Sequence, residues 1–69
     1  MARIVDPERL WSPERLAEHL GVPVATLAKW RHFGTGPRYL KIGKHVRYRP
    51  ADVLRWEDEQ CVRLEEVGL

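Results

Sequence analysis

The residues best suited to chemistry in this chain are cations. Lys29, Arg31, Arg38, Lys41, Lys44, Arg47 and Arg49 all fall between His19 and Ala51, a window that contains no Asp or Glu and also holds His19, His32 and His45. Every acid lies outside it: Asp6, Glu8, Glu14 and Glu18 before, and Asp52, Glu57, Asp58, Glu59, Glu65 and Glu66 after. The net charge of +2 therefore conceals a basic middle between acidic flanks. Charge segregated in this way points to a cationic surface aimed at a polyanion; the plainer alternative is a solvated face. The densest part is KIGKHVRYRP, residues 41–50, where five basic or potentially basic side chains are threaded between Ile42, Val46 and Tyr48.

Catalytic and metal-binding patterns are missing. Cys61 is the one cysteine, so no internal disulfide can form, and its acidic neighbours are the wrong surroundings for a nucleophilic thiolate. The histidines pair with no carboxylate at a telling spacing and lack the paired thiols of a zinc finger. No glycine-rich phosphate loop is present. These absences predict a protein that is not an enzyme and takes no cofactor and no small-molecule substrate. No apolar run approaches the roughly 20 residues of a membrane span. The start, MARIVDPERLW, holds no apolar segment of signal-peptide length. A soluble protein of the cytoplasm or nucleoid, with no membrane partner, is expected.

The elements that must carry the cations can be read from local signals. Residues 1–9 read as an N-terminal arm and residues 10–69 as one small domain. In WSPERLAEHLG, Ser12 is a helix cap, Pro13 suits the first helical position and Glu14 favours the positive end of the helix. Leu16, Ala17 and Leu20 fall on one face, and Gly21 ends the helix. A second helix starts at or just after Pro23 and stops near Gly34, with Leu27 and Trp30 inward. The short connection Gly21-Val22-Pro23 forces the helices to cross steeply, the layout of a helix-turn-helix; an ordinary pair of antiparallel helices shares the pattern. Trp11 is expected to act as a local staple ahead of Ser12. After the loop GTGP, RYLKI and VRYR flank GKH and predict a β-hairpin. Pro50 and Asp52 open a long last helix through Val67, with Val53, Trp56, Gln60, Leu64 and Val67 at helical spacing. The fold class is mainly α with a β-hairpin: a winged helix-turn-helix in the order helix, helix, hairpin, helix.

In such a fold the second helix enters the major groove of DNA. With Leu27 and Trp30 inward, Val24, Ala25, Ala28, Lys29 and His32 face outward. Lys29 can donate to guanine or neutralise a phosphate, and Val24 and Ala25 can touch a thymine methyl. Thr26 and Arg31 lie at the edge and suit phosphates. The helix has no Asn, Gln or Glu, so modest base readout and a large share from backbone contacts and DNA shape are expected. On the hairpin, alternation predicts Ile42, Val46 and Tyr48 inward, with Lys41, Arg47 and Arg49 toward DNA and Lys44 and His45 at the tip, and Arg38 ahead of the first strand is counted with the wing cations. Such a wing suits a narrow minor groove; the competing meaning is a solvated hairpin whose charges block aggregation. The spacing of Trp30 and Trp56 places them on apolar helix faces rather than on stacked bases.

The stretch from Trp11 to Asp58 resembles the small winged helix-turn-helix proteins of the excisionase, AlpA and MerR-like group. The marks are LAEHLGV, TLAKW, the glycine and proline before the hairpin, and KIGKHVRYRPADVLRW with the acid after it. The resemblance implies residues 23–33 in the major groove and residues 38–49 in the adjacent minor groove. It further implies a recombination directionality factor that binds double-stranded DNA at several sites, bends it, and assists a tyrosine integrase, with self-association on DNA. Ala28 departs from the group, which often carries Tyr there, and so lacks a phosphate contact. A small transcriptional regulator of the same fold is the alternative, and a protein-interaction adaptor with an incidental basic patch is the alternative from another class.

Overall fold

The computed structural model describes residues 9–62, in the order α1 (Pro13–Leu20), α2 (Val24–Phe33), β1 (Leu40–Ile42), β2 (His45–Arg47) and α3 (Pro50–Glu59). Of the arm expected at residues 1–9 only the exposed Arg9 is described, and the last part of the expected long helix, residues 63–69, also lies outside the described residues.

Helix α1 begins and ends as its sequence demands. The Ser12 side chain accepts a hydrogen bond from the Arg15 amide at 3.1 Å, satisfying an N–H that has no partner inside the helix. At the other end the amides of Gly21 and Val22 both donate to the Ala17 carbonyl, at 2.8 and 3.1 Å. Leu16 and Ala17 are buried and Leu20 is half-buried. Helix α2 follows after the three-residue link Gly21-Val22-Pro23. It buries Leu27 and half-buries Trp30, and its start at Pro23 has no side-chain cap.

The hairpin corrects the expected facing of its first strand. Leu40 pairs with Arg47, Lys41 with Val46 and Ile42 with His45, around a two-residue loop, Gly43-Lys44. Gly43 has φ 62°, and glycine with positive φ at the first central position is the type II′ pattern that suits a tight hairpin. Residues directly opposite one another share a face. Val46 and Tyr48 do lie inward, as alternation predicts, but Lys41 shares their face, and Ile42 stands with His45 and Arg47 on the other. Ile42 is accordingly 52 % exposed. The expected arrangement rested on a three-residue loop, GKH. Shortening the loop by one residue shifts the pairing and turns the first strand over.

Trp11 is more than a local staple. Its amide donates to the Tyr48 carbonyl at 2.8 Å and the Tyr48 amide donates back at 2.9 Å, an antiparallel bridge just past β2. The bridge fastens the entry of α1 to the hairpin. The core is then drawn from every part of the chain: Trp11, Leu16, Ala17, Leu27, Tyr48 and Val53, with Leu20, Val22, Trp30 and Val46 packed at its margin. Trp30 and Trp56 form a second, half-buried contact between α2 and α3, ring centres 5.3 Å apart.

Helix α3 ends earlier than expected. Gln60 is its C-cap, and Cys61 and Val62 are not helical. The last turn carries Glu57, Asp58 and Glu59 and no base, so negative side chains meet the negative end of the helix dipole, and no glycine follows to close it.

Candidate nucleic-acid interface

On α2, Val24, Ala25, Ala28, Lys29 and His32 are all exposed, and Thr26 is half-buried beside the inward Leu27. The inward and outward sets follow from the helical period: Leu27 and Trp30, three apart, turn one stripe to the core and leave the rest to solvent. The exposed set mixes short apolar side chains with one long cation and an imidazole, and it contains no acid. Phe33, 69 % exposed, was not singled out from the sequence; its ring packs edge-on against His32 with centres 4.9 Å apart.

Arg31 sits differently from its neighbours. It is half-buried, and its Nη1 donates to the Tyr48 hydroxyl at 2.8 Å. Its guanidinium also lies 5.8 Å from the centre of the Tyr39 ring, within reach of a cation–π interaction. The residue expected to reach a phosphate is thus joined to the hairpin.

On the hairpin, Arg38, Lys41, Lys44, His45 and Arg49 are exposed and Arg47 is half-buried. Arg47 Nη1 donates to the carbonyl of Val46 at 2.6 Å, which lays its stem along the strand. Lys44 marks the tip, in the two-residue loop Gly43-Lys44, and His45, expected there, is instead the first residue of β2 opposite Ile42. The face that carries Arg47 also carries Ile42, so the outward side is cationic with one apolar residue beside the turn.

Ion pairing is sparse throughout: Arg9, Arg15 and Arg55, outside the acid-free window, also have no described carboxylate within ion-pair distance. Among the described residues the one ion pair is His19 Nε2 with Glu57 Oε2 at 2.7 Å, between α1 and α3. Sequence spacing gave no hint of this pair, whose members are 38 positions apart. None of the seven Lys and Arg in the acid-free window has a described carboxylate within ion-pair distance. Unneutralised cations on a small surface hold a counterion atmosphere that a polyphosphate can displace.

A family model for the helix-turn-helix domain matches residues 12–61. The chain belongs to that family. The match runs from the Ser12 cap of α1 to just beyond α3 and so covers both helices of the motif and the hairpin. No curated protein and no solved structure matches the chain. Within the helix-turn-helix domain, α1 and α2 are the paired helices, and β1–β2 stands where a winged helix-turn-helix carries its wing. This is a DNA-binding fold, and double-stranded DNA is the partner it implies. Among the described residues no helix is long and apolar enough to cross a membrane.

The glycine and proline before the wing have a packing reason. A Cβ on Gly36 would stand 3.0 Å from Trp30 Cε3 and 3.1 Å from Trp30 Cβ, and Gly36 has φ 84°. Only glycine allows the chain to pass this close to the end of α2 and turn into β1. Pro37 follows, buried.

Proposed function

We propose that the protein is a sequence-specific, DNA-bending factor that lays α2 in a major groove and the β1–β2 wing in the adjacent minor groove. On this reading Val24, Ala25, Ala28, Lys29 and His32 meet base edges, and Thr26 meets the backbone. Lys29 supplies the hydrogen-bonding readout, and the short apolar side chains fit thymine methyl groups. Arg38, Lys44, His45, Arg47 and Arg49 supply wing contacts to phosphates or to a narrow minor groove, while Lys41, on the face of Val46, is left out of that set. The observation that carries this reading is the clustering of exposed cations on the wing, with no described carboxylate within ion-pair distance, next to an exposed, acid-free helix face. No step of chemistry is assigned to the chain.

The biological role we infer is that of an excisionase, a recombination directionality factor that shapes DNA for a tyrosine integrase and binds adjacent sites in more than one copy. A winged domain rich in cations for the DNA backbone and sparse in side chains for base readout suits a protein whose product is a bend. Footprinting and bending assays on the DNA flanking its gene, with and without integrase, test this role. Protected, bent sites beside the integrase sites support it. Binding confined to promoter DNA, with no effect on integrase, replaces it with a transcriptional regulator of the same fold.

A further inference from the structure

We infer that Arg31 is a positioning residue that fixes the wing to the recognition helix, and so sets the angle at which the two reach adjacent grooves. The inference rests on the docking proposed above. Tyr39 stands immediately before β1 and Tyr48 immediately after β2, so the two tyrosines form the root of the wing. Their rings lie 6.2 Å apart, and Arg31, in the last turn of α2, touches both: a 2.8 Å hydrogen bond to the Tyr48 hydroxyl and the 5.8 Å approach to the Tyr39 ring. Among the described residues this is the one side-chain hydrogen bond between α2 and the hairpin.

Three physical points give the contact its role. A two-stranded hairpin is marginal in water on its own, so its orientation comes from what holds its root. The Trp11–Tyr48 bridge holds that root to the entry of α1, Tyr48 packs in the core with Leu27 of α2, and Arg31 adds a directional polar link between the root and α2. Tyr48 is only 1 % exposed, so its hydroxyl needs an internal partner, and Arg31 provides it. The guanidinium donates to the Tyr48 hydroxyl while its carbon lies over the Tyr39 ring, a pairing of hydrogen bond and ring contact that arginine, with its broad planar head, suits better than lysine. A cation near the end of α2 is also favoured by the helix dipole.

The test uses Tyr48→Phe, which removes the acceptor hydroxyl and leaves both the ring and the Arg31 charge, together with Arg31→Lys, Tyr39→Leu and the Tyr48→Phe/Arg31→Lys double variant. Each is assayed on one bound duplex by hydroxyl-radical protection in the minor groove, by methylation protection of guanine N7 in the major groove, and by bend angle. Thermal melting identifies folded variants, and the partly exposed Tyr39→Leu keeps the test alive should Tyr48→Phe not fold. The clamp predicts that folded variants keep major-groove protection, lose or shift minor-groove protection, and bend DNA less. It also predicts binding weaker by about tenfold for Tyr48→Phe, with the double variant no worse than the poorer single. A purely structural effect would lower protection in both grooves together. If the folded variants match the parent in both grooves, or if Arg31→Lys alone weakens binding while Tyr48→Phe does not, Arg31 is a phosphate ligand and the clamp is overturned. A parent that protects no duplex at all sinks the docking itself.

Discussion

Helices α1 and α2 differ by two residues in length and sit side by side in the core, yet they are built for different ends. Helix α1 is closed by the Ser12 side chain at its start and by left-handed Gly21 at its end, and it buries Leu16 and Ala17. Helix α2 starts at Pro23 with no side-chain cap and buries Leu27 alone. It exposes Val24, Ala25, Ala28, Lys29 and Phe33, residues of which several would pack well if covered. The first helix therefore holds the domain together, and the second is held by it. The difference teaches that the helix with the more exposed face is the one with fewer local supports of its own, and that it is packed beside a well-capped helix fastened to the hairpin by the Trp11–Tyr48 bridge.

The sharpest way to break this comparison is Leu16→Ala. Leu16 is fully buried, and removing such a side chain costs about 2–5 kcal/mol, comparable to the whole stability expected of a domain this small. Chemical denaturation should show a domain largely unfolded at room temperature. A fold that survives with less than about 1 kcal/mol lost would mean that α1 is not the supporting element. Next in size is Lys29→Ala. It should leave the melting temperature nearly unchanged and redistribute affinity among duplexes by about 1–3 kcal/mol, measured by competition binding on a panel of sites. Uniform weakening on every sequence would place Lys29 on a phosphate instead of a base.

Much of this division was legible in the sequence. Ser12, Pro13, Glu14 and Gly21 are local signals that act within one turn of the helix they bound, so α1 could be read residue by residue. The glycines and prolines around the hairpin likewise mark its ends. What the sequence hid was set by contacts between distant segments. Trp11 and Tyr48 pair across 37 positions, His19 meets Glu57 across 38, and Arg31 meets Tyr48 across 17. The facing of Ile42 was hidden for a different reason: one residue more or less in the loop leaves the composition of the strand untouched and reverses its sides. The early end of α3 needed the helix dipole to be weighed against apolar spacing, which alone runs on past Gln60. Of the interface, the identity of the cations was plain, whereas the engagement of Arg31 by the wing root was not.

Smaller effects sharpen the same contrast. Ser12→Ala should cost about 1 kcal/mol by urea denaturation, because it frees the Arg15 amide, and should leave the DNA preference of the folded protein unaltered. The smallest effect belongs to Ile42→Thr. With Ile42 outward and about half exposed, stability should change by no more than about 0.5 kcal/mol. A loss of about 1 kcal/mol or more would restore the inward facing and the three-residue loop.

The central claim is that the exposed face of α2 and the cations of the wing together grip a DNA duplex. Its most direct test is the affinity of the protein for a duplex across a range of salt. Several simultaneous phosphate contacts predict that log K falls linearly with log salt, with a slope of about −0.9 for each phosphate neutralised, and that Lys44→Ala or Arg47→Ala makes the slope shallower by about one unit. A flat salt response, unchanged in those variants, would contradict the account and return the basic stretch to the role of a solvated surface.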